Sequence, residues 1–466
     1  MVPGGGGALM LPLQLSALLT APEGVEAVQE AVRGFDAVLV TGLARVDEEQ
    51  SAGMAALAGA VAGSPLGAPV AEAVAKVSTG AIAPEQLSAL AAGRAALLGA
   101  VHDALLAQFD TAFGRSRAEW VPPQSAPATP SPVAVGCRAW LGELAIAGWR
   151  GVDQDLVASA DRTIEALLAE PALRRLAVLL DGFAAELNAS SPISTMNLVP
   201  ARRWADMWAR ALLLTWRGAS APAAETVSGR LLPLGVDVHE HGTAVQAQIY
   251  GVLECAGAPN RRVRVSVAAT KVDTIVGAAV WQVLGGHPRL LTALAEHRGL
   301  DIAEMPLVAG DLIWDDERVS VADAADPFAT AAVRLSGAQA PAVAPLDRDP
   351  VHIAEPVFVE NCRIKDGTLD LDGYRIAVDL DLPGCGPLTP AAVNGSSDLI
   401  GLLRWDAGRW SLRPLAVRRT VKGQLVVLHN GDWACGPTDP KVAKAQAKSG
   451  DAVAVLRERA GRLLRK

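Results

Sequence analysis

The sequence is poor in aromatic residues, in cysteine and in charge. Of its 466 residues, 4% are aromatic, 20% are charged and five are cysteines. Five widely spaced cysteines exclude the disulfide framework of a small exported module. No basic segment precedes the first apolar stretch, which excludes a typical secretory signal, so we expect reduced thiols and a cytoplasmic protein. An apolar content of 50% excludes a disordered chain.

The familiar catalytic and cofactor-binding motifs are also missing. The sequence has no G-x-x-x-x-G-K-[ST] phosphate loop, no H-E-x-x-H zinc motif, no G-x-S-x-G nucleophile motif and no C-x-x-C pair. Every long apolar stretch is interrupted by charges or by Gly and Pro, so we predict no transmembrane segment. We therefore predict no cofactor, and we favour a binding protein over an enzyme.

Hydrophobic periodicity predicts a multidomain α and α+β protein. The N-terminal half follows the helical period, the middle is mixed α+β, and a mostly antiparallel β module with a basic terminal helix ends the chain. The predicted organisation is a helical domain at 1–114, a Pro-rich linker at 115–134, a helical domain at 135–220, an α+β domain at 221–340, a β-rich module at 341–440 and a basic helical tail at 441–466.

Local patterns in the second half predict strands and hairpins. Apolar and polar residues alternate over 227–234, 244–253 and 262–267, and we also expect a strand at Ala331–Leu335. Tight turns are predicted at Asp366-Gly367 and at Asp406-Ala407-Gly408, because these residues tolerate a positive φ.

The one crowded group of potential metal ligands is His239-Glu240-His241. Residues i and i+2 share a face of a strand, so both imidazoles could bind one metal ion, with Glu254 or Cys255 completing the site. The alternative is a polar turn, since Gly242 follows directly.

The basic tail is the most suggestive candidate for partner binding. It combines an apolar side with eight cationic residues against two acidic ones, although the whole chain has a net charge of -8. Such a segment suits an acidic protein, nucleic acid or an anionic lipid surface, or it folds back on the acidic body. Its basic residues are Lys441, Lys444, Lys448, Arg457, Arg459, Arg462, Arg465 and Lys466.

Three tryptophans fall on one predicted helical stripe. Trp204, Trp208 and Trp216 recur at multiples of four residues, with Arg202, Arg203 and Arg210 beside them. This arrangement is typical either of a packed core or of a surface that stacks on nucleotide bases or anchors a partner.

Two short segments resemble known bacterial sequences. Arg203–Leu214 and Ser228–Asp237 are similar to uncharacterised proteins encoded near MoxR-type AAA+ ATPases, von Willebrand A-domain proteins and SWIM zinc-finger proteins. The resemblance implies a non-catalytic companion of such an ATPase-centred system.

Together these features predict a non-catalytic intracellular interaction or scaffold protein that binds protein partners. One alternative is a metal-dependent hydrolase centred on His239 and His241. The other is a nucleic-acid-binding protein that uses the basic tail.

Overall fold

The computed structural model describes residues 9–122, 131–217 and 224–449, together with positions 453, 454 and 458. Residues 123–130 of the predicted Pro-rich linker lie outside the described residues. The same holds for Arg457, Arg459, Arg462, Arg465 and Lys466 of the predicted tail.

Helices form the N-terminal half, as predicted. They are α1 (Pro12–Leu19), α2 (Val25–Thr41), α3 (Glu48–Val61), α4 (Gly67–Ser78), α5 (Pro84–Phe113), α6 (Pro132–Ala147), α7 (Gln154–Ala158), α8 (Asp161–Ala169), α9 (Arg174–Ala189) and α10 (Ala201–Arg217). The longest, α5, begins with Pro84 in its first turn and ends at Gly114, whose φ of 60° suits a glycine cap.

The two predicted helical domains share one hydrophobic core. Residues of α2–α5 and of α6–α10 belong to the same buried cluster. Within it, the Trp208 indole donates a hydrogen bond to the Leu141 carbonyl at 2.9 Å. The buried Arg94 of α5 binds Asp36 of α2, with Nε 2.6 Å from Oδ1. The Pro-rich segment therefore connects two parts of one helical unit.

Helix α5 is long and apolar enough to cross a membrane by composition alone. Its most apolar 18-residue window, however, is 61% buried inside the structure, as expected for the central helix of a helical core. Among the described residues it is the one helix that meets this criterion.

The middle of the chain forms a closed barrel, here called the first barrel. Its elements are β1 (Glu225–Glu240), β2 (Ala244–Glu254), β3 (Arg261–Thr270), α11 (Val280–Val283), α12 (Pro288–Ala295), β4 (Arg298–Val308) and β5 (Asp311–Leu312), followed by β6 (Val319–Ala324) and α13 (Pro327–Thr330). The strand order is β1-β2-β3-β5-β4, and β4 pairs back with β1. Strands β3 and β5 are parallel. This closed order, with helices between β3 and β4, is the topology of the OB fold.

The long strand β1 can pair on both sides because it bends. Its register shifts between Val227 and Gly229 and again between Pro233 and Gly235. Gly235 has a φ of 153°, and a Cβ there would lie 2.9 Å from the Leu415 side chain of the neighbouring barrel. Only glycine allows so close an approach.

A second barrel repeats this topology. Its elements are β7 (Ala354–Val359), β8 (Arg363–Lys365), β9 (Thr368–Leu371), β10 (Tyr374–Val378), α14 (Pro390–Asn394), β11 (Asp398–Asp406) and β12 (Arg409–Val421), followed by β13 (Gln424–His429) and α15 (Pro440–Ser449). The order β8-β9-β10-β12-β11-β7 is that of the first barrel if β7 and β8 are two halves of one broken strand. The parallel pair is β10 and β12. The mixed α+β fold class is thus confirmed.

One predicted strand is wrong. Ala331–Leu335 continues the helical turn that starts at Pro327, whose N-cap Asp326 accepts the Phe328 N–H at 2.8 Å. Ala331 and Leu335, four residues apart, are both fully buried between the two barrels. A strand would place Val333 on the same face as Ala331 and Leu335, but Val333 is 67% exposed, as a helical turn requires.

The connection between the barrels is held against the helical unit. Asp347 lies 2.6 Å from Arg175 and 3.5 Å from Arg210, and Asp349 lies 3.2 Å from Arg202. These ion pairs place residues 341–353 over the outer face of the first barrel.

Candidate functional site

A cleft of about 630 Å³ lies where the helical unit and the two barrels meet. We call it the arginine cleft after its four cationic wall residues, Arg117, Arg262, Arg264 and Arg404. Its floor is the outer face of β1–β3 and the β4–β5 turn, and its opposite wall is α5, the connection between the barrels and the start of β7. Volumes of 300–1,000 Å³ are typical of small-molecule sites.

Strand alternation places the polar floor of the cleft. Val245, Ala247 and Ile249 point into the barrel core, so Gln246, Gln248 and Tyr250 point outward. The register pairs Gln248 with Ser266 and Tyr250 with Arg264. A hydrogen-bonded row results, in which Gln246 Nε2 donates to Ser266 Oγ at 2.7 Å and Tyr250 donates to Gln248 Oε1 at 3.2 Å.

One buried carboxylate, Glu355 at the start of β7, faces three guanidinium groups. Arg117 Nη2 donates to its Oε1 at 2.8 Å, Arg262 Nη1 donates to its Oε2, and Arg115 Nη1 lies 4.0 Å away. Burial by itself raises the Glu355 pKa, but Arg262, Arg117 and Arg115 outweigh it and hold the pKa at about 2. Burial, together with the charge of Arg262, lowers the pKa of Arg115 to about 9. Around Glu355, three guanidinium groups therefore face one carboxylate, so positive charge exceeds negative charge there.

Arg262 is incompletely paired. Its side chain is 5% exposed and lines the cleft, and Nη1 binds Glu355. Among the described residues, Nε and Nη2 have no hydrogen-bond acceptor. A buried donor without an acceptor costs about 1–3 kcal/mol, and more when the group is charged. An acceptor that reached these two nitrogens from the cleft would remove this cost.

Arg264 and Arg404 complete the cationic lining. Arg264 makes a bidentate pair with Asp311, at 2.6 and 2.8 Å, and is about a third exposed. Arg404 of β11 reaches across from the second barrel and binds the buried Asp237 of β1. Although burial raises the Asp237 pKa, the hydrogen bond from His239 and the charges of Arg404 and Arg413 lower it below its usual value. In each of these ion pairs with aspartate, the arginine uses only some of its five N–H donors.

The two histidines of the predicted metal site have different contacts in the structure. His239 lines the cleft, and its Nε2 lies 3.2 Å from Asp237 Oδ2. His241 lies in the β1–β2 turn and is exposed, with Nδ1 3.3 Å from Thr243 Oγ1. Glu254 pairs with Arg230 at the other end of the hairpin, and Cys255 follows it. Metal binding by His239 and His241 stays a prediction.

A different cluster is the one group of three potential ligands found among the described residues. His297, His429 and Asp432 place their ligand atoms within 4.8 Å of one another. The Gly431 N–H donates to His429 Nδ1 at 3.0 Å, so the proton of the neutral ring is on Nε2, 3.3 Å from Asp432 Oδ1. Neither ring nitrogen of His429 therefore offers a lone pair to a metal. The cluster fastens the end of β13 to His297 instead.

This buried histidine predicts an acid-sensitive stability. Burial, with a smaller contribution from His297, lowers the His429 pKa to about 4, against about 6.5 unfolded. Between these pH values the unfolded chain binds more protons, so the free energy of unfolding should rise with pH and fall by up to about 3 kcal/mol as pH drops from 6.5 to 4. Urea titrations at several pH values across this range give the free energy of unfolding. Its slope against pH should be shallower for His429→Asn than for the unmodified protein. His241→Asn controls for the loss of an imidazole. If the unfolding free energy had the same slope against pH in His429→Asn and in the unmodified protein, the assignment of the acid sensitivity to His429 would be refuted.

The tryptophan stripe divides between core and surface. Trp204 and Trp208 are buried, and Trp204 packs edge-on against Trp149 at 6.2 Å. Trp216 is 45% exposed. Arg138 covers its ring at 4.2 Å, and its indole donates to Ser88 Oγ at 2.5 Å.

The arginines beside this stripe are engaged in ion pairs. Arg203 binds Glu186, with Nε 2.9 Å from Oε1, and Arg210 binds Asp206 at 3.1 Å. Arg202 contacts Asp349 and Asp406.

Of the basic residues of the predicted tail, Lys441, Lys444 and Lys448 lie among the described residues. Lys441 and Lys444 are exposed on α15, and Val442 packs against the first barrel. Lys448 belongs to the same helix, but its side chain lies outside the described residues.

Comparison with family models, with curated proteins and with solved structures finds no match for this chain.

Proposed function

We propose that this protein binds a small anionic ligand in the arginine cleft. The main support comes from Arg262. Its guanidinium lines the cleft, and its Nε and Nη2 lack acceptors among the described residues. Arg264 and Arg404 add partly exposed guanidiniums to the same cleft. The planar donors of arginine match the paired oxygens of phosphate and carboxylate groups.

The shape of the cleft favours a small molecule over a long single strand. The outer face of β2–β3 is the surface on which OB folds bind oligonucleotides. Here residues 341–356 and α5 lie over that face, and its one aromatic residue, Tyr250, is 6% exposed. A strand of bases needs exposed aromatic platforms. A compact phosphate-bearing or carboxylate-bearing molecule fits better.

Calorimetric titration with inorganic tripolyphosphate tests the proposal. Arg264→Ala should weaken binding by about ten- to a hundredfold, because a hydrogen bond to a charged group contributes about 1.5–3 kcal/mol. The matched control is Arg230→Ala. Arg230 belongs to the same barrel as Arg264 but pairs with Asp301 outside the cleft. This variant should leave the affinity unchanged. Equal losses in both variants, or no binding to the unmodified protein, would overturn the proposal.

An interaction role in an ATPase-centred system is a compatible proposal. It is supported by the resemblance of Arg203–Leu214 and Ser228–Asp237 and by the basic tail. Five free cysteines agree with the proposed cytoplasmic location. Purification from the native host tests this role, since recovery without any stoichiometric partner protein would contradict it.

A further inference from the structure

The arginine cleft borders a second depression, here called the Trp120 groove. The groove has a volume of about 450 Å³ and follows α5 from His102 past Asp110 to Trp120. The two cavities share His102, Leu106, Arg117 and Val343 as walls. A ligand long enough to pass over these shared walls would contact both cavities.

The two ends of this path differ in chemistry. The cleft presents guanidiniums, whereas the groove adds three carboxylates and the half-buried indole of Trp120 to two arginines. The carboxylates are Asp103, Asp110 and Glu119, and the arginines are Arg117 and Arg348. Asp103 is half exposed and binds Arg348 at 2.8 Å. Carboxylates accept hydrogen bonds from hydroxyl and amino groups, and an indole face stacks on a flat aromatic ring.

Arg117 stands at the junction of cleft and groove. Its Nε and Nη2 bind Asp110 at 2.8 and 3.0 Å, and Nη2 also binds Glu355. Arg117 is thus fixed from both sides, by a carboxylate of the groove and a carboxylate of the cleft.

We infer that the ligand is a nucleotide, with its phosphates in the arginine cleft and its base stacked on Trp120. This inference depends on the proposed anion-binding function. A nucleotide combines the required properties: an anionic end, sugar hydroxyls and base amino groups that donate to carboxylates, and a flat aromatic ring. Tripolyphosphate has only the anionic end. An acidic peptide need not contain an aromatic ring.

Titration of the unmodified protein with ATP and with inorganic tripolyphosphate, both without metal, tests the inference. Both probes carry three phosphates, so the difference reports the nucleoside. ATP should bind about tenfold tighter or more, as expected for one base stacked on an aromatic side chain. Trp120→Ala should abolish this advantage and leave tripolyphosphate binding unchanged, while Trp120→Phe should retain most of it.

The outcomes separate the two proposals. If neither probe binds, the anion-binding function itself is wrong. If tripolyphosphate binds with the expected dependence on Arg264 but ATP binds no tighter, only the nucleotide inference is overturned. The comparison on the unmodified protein does not require any variant to fold. A carboxylate-ended peptide that binds more tightly than ATP would also refute the nucleotide inference.

Discussion

Replacing Glu355 by glutamine is expected to lower the free energy of unfolding by about 3–5 kcal/mol. Glu355 is the buried carboxylate that faces Arg115, Arg117 and Arg262. Glutamine keeps the shape of the side chain but removes its charge, so three guanidiniums are left close together in a poorly solvated site. Urea-induced unfolding followed by circular dichroism measures the loss.

The effect of Glu355→Gln should also depend on pH. The folded-state pKa of Glu355 is about 2, below its usual value of 4.5. Its stabilising contribution is therefore complete above pH 4.5 and is lost as pH falls towards 2, so the two proteins should converge in acid. Glu360→Gln, at an exposed position directly after the same strand, is the matched control and should stay within about 0.5 kcal/mol of the unmodified protein. A difference that is the same at pH 7 and pH 3 would contradict the assigned role.

Truncation of Trp208 to alanine is expected to destabilise the helical unit by about 3–5 kcal/mol. The indole is fully buried, lies 6.4 Å from the Phe35 ring and donates to the Leu141 carbonyl, so it links α10 to both α2 and α6. Removing it leaves a cavity at the junction of the two predicted helical domains. Far-ultraviolet circular dichroism during urea unfolding measures the change.

Trp216 on the same helix is the control for Trp208. Because its ring is half exposed and contacts Arg138 and Ser88 at the surface, Trp216→Ala should cost about 1 kcal/mol. Similar losses at the two positions would contradict the division of the stripe into core and surface.

The local elements could be predicted from sequence because their signals are local. The alternation over 227–234, 244–253 and 262–267 corresponds to β1–β3, and Asp366-Gly367 and Asp406-Ala407-Gly408 do form hairpin turns. The closed order of each barrel could not be predicted. It depends on which distant strands pair, as when β4 returns to β1, and one sequence carries no direct signal for that choice.

The candidate site was missed for a related reason. Arg262 and Arg264 alternate with valines, which is sufficient to place both guanidiniums on one face of a strand. Glu355, Arg117 and Arg404, however, come from three other parts of the chain and meet only in the folded protein. The sequence instead favours the crowded histidines, although in the structure His239 contacts Asp237 and His241 lies in a turn.

Hydrogen–deuterium exchange of the unmodified protein, with and without tripolyphosphate, locates the site at which the anion binds. If the arginine cleft is the binding site, amide protection should increase in β3, in the Ala309-Gly310 turn and in residues 341–356, which together line it. Protection confined to residues 441–466 would show that the basic tail binds the anion, and it would contradict the assignment of the cleft.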